Sequence, residues 1–220
     1  MLKLVIGNKN YSSWSLRPWL QLRESGIDFE EVRIPLFSGT WRQDLAAVTP
    51  SGKVPVLLDG ELAIWDSLAI CEYVREKDVR AIGWPTDAAS RGVARAVSAE
   101  MHSGFQALRS ELPMNLRARR PLQMSKLSEA CRADITRIDT LWCNARRRYG
   151  AGGPWLFGRL SIADLMYAPV ATRFVTYGIP VSPEAQRFME AVLGLESFRA
   201  WAAAAEAETE RLEFIEQLHA

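Results

Sequence analysis

At 220 residues, 48% hydrophobic and 24% charged, the chain has the make-up of a globular protein with a sizeable core, as one large domain or two small ones. With 27 Lys+Arg against 26 Asp+Glu and a formal net charge of +1, it has no general attraction to nucleic acid or to an anionic membrane. No apolar run approaches the ~20 residues of a membrane span, and neither the two histidines nor the widely spaced Cys71, Cys131 and Cys143 form a metal-ligand pattern, so the expectation is no metal, reduced thiols and a cytoplasmic protein.

The first seven residues are too short for the apolar segment of a signal peptide and read as a strand over 2–6. Residues 16–24 carry Leu16, Trp19, Leu20 and Arg23 at helical spacing, with Gly26 as a stop. Residues 29–34 alternate as a strand, and 41–48 suit a short helix. Strands over 54–58 and 61–64 flank Asp59-Gly60, a two-residue hairpin signal. A helix over 66–76 follows. The order β-α-β-α-β-β-α predicts a parallel β-α-β crossover extended by an antiparallel hairpin, giving a mixed four-stranded sheet covered by helices.

Beyond Lys77 the pattern changes. Ala81-Ile82-Gly83-Trp84-Pro85-Thr86-Asp87 reads as a linker. Long helical stretches then cover 88–111, 124–149, 161–177, 183–193 and 197–209, broken by Gly150-Ala151-Gly152-Gly153-Pro154. Strand patterns are almost absent, so an α/β domain precedes an all-α one.

Three local motifs carry candidate chemistry. Ser12, Ser13 and Ser15 lie where the first helix begins. N-capping explains a serine there; the same geometry favours a thiolate, since a helix N-terminus carries partial positive charge and a hydroxyl can donate to the anion. A Ser-His-Asp nucleophile is less attractive, because no G-x-S-x-G elbow is present. Next, Gly52-Lys53-Val54-Pro55 enters a strand. It reads either as a turn before an edge strand or as a cis Val-Pro bond that presents the Val54 backbone to an extended ligand, with Lys53 near a ligand carboxylate. Last, Asp66-Ser67 opens a helix, as a cap or as an anion site in which Ser67 holds a carboxylate and Asp66 an ammonium. The predicted topology brings all three loops to one edge of the sheet.

These residues resemble the cytosolic glutathione S-transferases. The resemblance rests on Ser12-Ser13-Trp14-Ser15 with Arg17, on Pro50-Ser51-Gly52-Lys53-Val54-Pro55, on Asp66-Ser67-Leu68-Ala69-Ile70, on Trp84-Pro85-Thr86-Asp87, and on Gly158-Arg159-Leu160-Ser161-Ile162-Ala163-Asp164, whose Ser-x-x-Asp is a capping box. The first turn is most similar to that of the serine-type zeta class, with Trp14 where zeta enzymes have Cys. The resemblance implies a thioredoxin-like N-terminal domain over 1–80, a linker over 81–90 and an all-helical domain over 91–220.

It further implies glutathione as co-substrate, with Ser12 stabilising its thiolate. Val54 would pair with the cysteinyl backbone beside a cis Pro55, Asp66 and Ser67 would hold the γ-glutamyl group, and Lys53 would lie near the glycyl or γ-glutamyl end. Trp41 or Arg42 would meet the glycyl carboxylate. Tyr11, Trp14, Met101, His102, Phe105 and Arg109 are candidate walls for a second, electrophilic substrate, with core packing the competing reading for Met101 and Phe105. A homodimer is implied as well. A zeta-like cis-trans isomerase, using Arg173 and Arg109 to hold substrate carboxylates, and a non-catalytic protein-interaction module are the alternatives.

Overall fold

A computed structural model describes residues 1–219. The N-terminal part comprises β1 (Leu2–Ile6), α1 (Ser13–Glu24), β2 (Phe29–Arg33), α2 (Trp41–Ala46), β3 (Val56–Asp59), β4 (Leu62–Trp65) and α3 (Ser67–Lys77). The sheet order is β2-β1-β3-β4, with β1 and β2 parallel and the other pairs antiparallel. β1 is central, and Leu4, Val5 and Ile6 are wholly buried because helices cover both faces. Leu4 and Ile6 join the main core with Leu16, Leu20 and Ile70. Val5 points the other way, into a smaller cluster with Ile34, Leu45 and Val56. This is the expected mixed sheet and thioredoxin-like domain.

The hairpin turns one residue later than expected. Asp59 stays in the sheet opposite Leu62, so Gly60-Glu61 forms the loop, with Gly60 at φ +62°. The Asp59 carboxylate is held there by the Tyr73 hydroxyl at 2.6 Å and Lys77 Nζ at 2.5 Å.

The second part is helical: α4 (Ala88–Ser103), α5 (Gln106–Glu111), α6 (Glu129–Tyr149), α7 (Ile162–Tyr177), α8 (Pro183–Leu193), α9 (Glu196–Glu206) and a short α10 (Glu213–Glu216). Two expected helices are interrupted. The stretch 88–111 breaks at Gly104, whose backbone is extended, and at Phe105, whose φ of +60° turns the chain and drops its ring into the core. The stretch 124–149 is a single 3-10 turn, Met124–Lys126, followed by a new helix start where the Ser128 hydroxyl accepts from the Cys131 amide at 3.1 Å.

The middle helix of the second part is α7. Nearly every one of its residues is buried, and α1, α4 and α8 pack against it. Its first turn is tied by Asp164, which accepts from the Leu156 amide, the Ser161 amide and the Ser161 hydroxyl at 2.7–2.8 Å. The expected capping box is therefore present, with a fully buried carboxyl that burial raises to about 6. Asp164→Ala leaves two buried amides without an acceptor and is expected to cost about 3 kcal/mol of stability, read from denaturant unfolding.

The loop between β1 and α1 is tied to the second part by a set of hydrogen bonds. The Lys9 and Asn10 amides donate to the Glu208 carboxylate at 2.7 and 3.1 Å. The Lys9 carbonyl accepts from Trp201 Nε1 at 2.9 Å. Asn10 exchanges side-chain bonds with Asn115 and with the Arg117 amide. The Tyr11 hydroxyl donates to Glu216 at 2.6 Å, while Leu212 and Ile215 pack on its ring. A C-terminal strap, residues 208–216, is thus clasped over the loop. Glu208→Ala should cost about 2 kcal/mol. In native-state hydrogen exchange the Lys9 and Asn10 amides should lose protection while β1 amides such as Val5 keep theirs.

Candidate active site

Two clefts meet at Trp14, Lys53 and Val54. The larger, about 580 Å³, is bordered by Pro55, Asp66, Ser67 and His102. The smaller, about 330 Å³, is apolar and lies between the strap (Leu212, Phe214, Ile215) and the segment leading into α2 (Leu36, Phe37, Trp41), with Tyr11, Ser12 and Ser13 as its inner wall. Phe37 and Phe214, both more than half exposed, meet edge to face with centroids 5.1 Å apart across its mouth. The three motif loops therefore do converge, since the parallel crossover and the hairpin deliver β1, β3 and β4 to a common edge.

At the larger cleft, Val54 lies just beyond the strand pairing that ends at Val56, and the Val54-Pro55 peptide is cis. Lys53 is exposed beside it. Asp66 caps α3 from a φ of +80°, its Oδ1 accepting from the Leu68 and Ala69 amides at 2.9 and 3.2 Å. Its Oδ2 is paired with His102 Nε2 at 2.9 Å, so this carboxylate already has one partner from the second domain. Ser67 is buried, and its hydroxyl oxygen accepts from Arg17 Nη1 at 3.3 Å. That leaves the Ser67 hydroxyl hydrogen for an anion at the α3 N-terminus.

Beneath the clefts is an unusual concentration of buried cations. Arg17 is wholly buried, its Nε has no partner among the described residues, and burial, with repulsion from Arg109 and Arg173, pushes it down to about 9. It remains charged at neutral pH. Its guanidinium lies 4.3 Å from the Trp14 ring centroid, and that of Arg109 lies 4.7 Å from it. His102 meets the same indole edge-on. The hydrogen-bond partners of the three guanidinium groups are neutral oxygens: Ser67 Oγ for Arg17, the Met101 and Gly104 carbonyls for Arg109, and the Leu112 and Arg109 carbonyls and Ser13 Oγ for Arg173.

The α1 N-terminus distinguishes its serines. Ser12 is the N-cap: its oxygen faces the Ser15 amide at 3.4 Å, and its hydroxyl donates to Ser15 Oγ at 2.8 Å. Ser15 is buried and accepts from the Gly7 amide. Ser13 Oγ accepts from Arg173 Nη2 at 3.1 Å.

Several expected pocket residues are placed elsewhere. Phe105 and Met101 are in the core and line neither cleft, because the α4–α5 break turns Phe105 inward. Arg109 is one layer behind Trp14, held by carbonyls exposed at that same break. Arg173 is 5% exposed and bound to protein oxygens, so it does not present its guanidinium to a substrate carboxylate as the isomerase alternative requires. Trp41 lines the smaller cleft, with Arg42 stacked on its ring. The strap residues went unread in the sequence; only the Leu212-x-x-Ile215 spacing hints at them.

The comparisons with known proteins agree with this geometry. A family profile described as "Glutathione S-transferase, N-terminal domain" matches residues 11–77. An Arabidopsis thaliana glutathione S-transferase is 44% identical over 64 residues, 29% of this chain and 30% of that protein, so the chain matches less than a third of that relative's length. A probable maleylacetoacetate isomerase of Caenorhabditis elegans is 28% identical over 191 residues, covering 84% of this chain and 86% of that one. Among solved structures, a glutathione transferase homologue from a Burkholderia, with bound glutathione, superposes with a TM-score of 0.70 at 24% identity over 94% of this chain and 99% of that one, a likeness of fold. Sheet order, converging loops, family profile and relatives point the same way: residues 11–77 match the glutathione S-transferase N-terminal domain, and the chain as a whole is similar in sequence and fold to glutathione transferases.

Proposed function

We propose that the protein is a glutathione transferase that binds glutathione across the two clefts and directs its thiolate at a small electrophile. The observation that carries this reading is the convergence of the α1 N-terminus, Val54-Pro55 and Asp66-Ser67 on two clefts that meet at Trp14, Lys53 and Val54. In this reading the γ-glutamyl carboxylate meets the Ser67 hydroxyl and the α3 N-terminus, with Arg17 behind them, and its ammonium shares Asp66 with His102. The cysteinyl backbone pairs with Val54 as an added strand. Lys53 and Trp41 flank the glycyl end. The thiol then falls against the first turn of α1, between the two clefts.

There the helix N-terminus and a first-turn hydroxyl favour the thiolate; the family register points to Ser12. The reaction is attack of the sulfur on an electrophilic carbon, or on a hydroperoxide oxygen, with the acceptor in the apolar recess formed by Tyr11, Phe37, Leu212 and Phe214. An apolar acceptor suits these walls. A homodimer belongs to the same proposal by family likeness. The isomerase alternative has support from the C. elegans relative, but Arg173 faces protein oxygens, which favours transfer.

Titration calorimetry with glutathione should give a saturable isotherm below millimolar concentration; no heat at several millimolar would sink the reading. Ser67→Ala should weaken binding roughly tenfold or more, the worth of a hydrogen bond to a charged group. Phe214→Ala is expected to raise the KM for an aryl-halide acceptor several-fold and to change the glutathione affinity by less than Ser67→Ala does, since Phe214 borders the apolar recess and not the cleft at Asp66-Ser67.

A further inference from the structure

Ser12 and Ser13 both lie against the smaller cleft, yet their hydroxyls are not equivalent. The Ser12 hydrogen is committed to Ser15 Oγ at 2.8 Å, and Ser15 in turn accepts from the Gly7 amide. That chain of bonds runs into the protein, away from the clefts. Ser13 is wired in the opposite sense. Its oxygen accepts from Arg173 Nη2 at 3.1 Å, and among the described residues its hydroxyl hydrogen has no acceptor.

Arg173 is itself fixed. It projects from the buried middle helix α7, it is 5% exposed, and its Nη1 donates to the Leu112 carbonyl at 2.6 Å and lies 3.5 Å from the Arg109 carbonyl. A guanidinium can only donate. It therefore compels Ser13 Oγ to act as acceptor toward it and leaves Ser13 one donor to offer. A hydroxyl whose oxygen already accepts from a cation is also a stronger donor, because bonds in a chain polarise one another. The amide of Trp14, the next residue, has no acceptor among the described residues either, so two donors of the first turn remain free side by side.

We propose that Ser13, oriented by Arg173, is the hydroxyl that donates to the bound glutathione thiolate, and that Ser12 serves as the helix cap. The inference rests on the glutathione transferase reading and deepens it. Ionisation of the thiol breaks its S–H bond and releases the proton to solvent. The electron pair stays on sulfur and accepts from Ser13 O–H, which keeps its own hydrogen. Arg173 is a positioning residue: it touches Ser13, not the sulfur.

The test is the pKa of the enzyme-bound thiol, read from ultraviolet thiolate absorbance against pH at saturating glutathione, with calorimetry confirming saturation for each variant. Ser13→Ala should raise that pKa by about one unit, the worth of one charge-assisted hydrogen bond. Ser13→Thr, which keeps the hydroxyl, should recover at least half of the shift. Ser12→Ala should lower the unfolding midpoint and move the thiol by less than half as much as Ser13→Ala. Arg173→Met should raise the thiol pKa and Arg173→Lys by less; in a Ser13→Ala background, Arg173→Lys should add nothing further. The proposal is overturned if Ser12→Ala shifts the thiol as much as Ser13→Ala, or if Ser13→Ala leaves it unmoved. Should Arg173→Met not fold, the Ser13→Ala and Ser13→Thr pair decides alone. Failure of the wild-type protein to bind glutathione would remove the transferase reading itself, a separate result from any ordering of the serines.

Discussion

The constraint on which the rest depends is the satisfaction of one buried loop. Residues 8–11 leave the central strand and must reach the start of α1 without water to bond their backbone. The loop supplies some of these bonds itself, as when the Tyr11 and Ser12 amides donate to the Asn8 carbonyl. The remainder come from far along the chain: Glu208 for two amides, Trp201 for a carbonyl, Asn115 and Arg117 for the Asn10 side chain. The α/β layer thus cannot present its first turn in this position without the helical layer. The direction of α1, and so the placing of its N-terminal hydroxyls, is a property of both.

The same junction gathers charge. Three guanidinium groups are buried or half-buried around Trp14 and rest on neutral oxygens. Cations taken out of water without carboxylates are costly, and mutual repulsion adds to that cost. The indole face offsets part of it for Arg17 and Arg109. In the proposed function an anionic ligand at the α3 N-terminus and a thiolate at the α1 N-terminus would offset more, which would link ligand binding to the stability of this junction. This is a physical reason for an arginine-rich floor below two helix N-termini.

Trp14 also stands where the two clefts meet. With Lys53 and Val54 it borders both the cleft at Asp66-Ser67 and the apolar recess under the strap. The recess owes its character to residues remote in sequence, the α2 approach on one side and the C-terminal strap on the other, joined at Phe37 and Phe214. Segments of this kind can change shape or composition with little effect on the sheet.

The sequence by itself determined the order of strands and helices, the mixed sheet, the three loops at one edge and the Ser161-Asp164 cap. Each is written in local terms: periodicity, Gly and Pro punctuation, and short capping spacings act within a few residues. It placed the hairpin turn one residue early because a long-range pair, Asp59 with Tyr73 and Lys77, holds Asp59 in the sheet. It extended one helix through Gly104-Phe105 because burial of the Phe105 ring is a tertiary gain that periodicity does not record. Only the tertiary structure decided that Arg109 and Arg173 stand behind the cleft, that the strap closes the recess, and that Ser12 and Ser13 differ. The reason is the same in each case. Adjacent serines are alike in sequence, and what separates them is an arginine 160 residues away whose guanidinium reaches one and not the other.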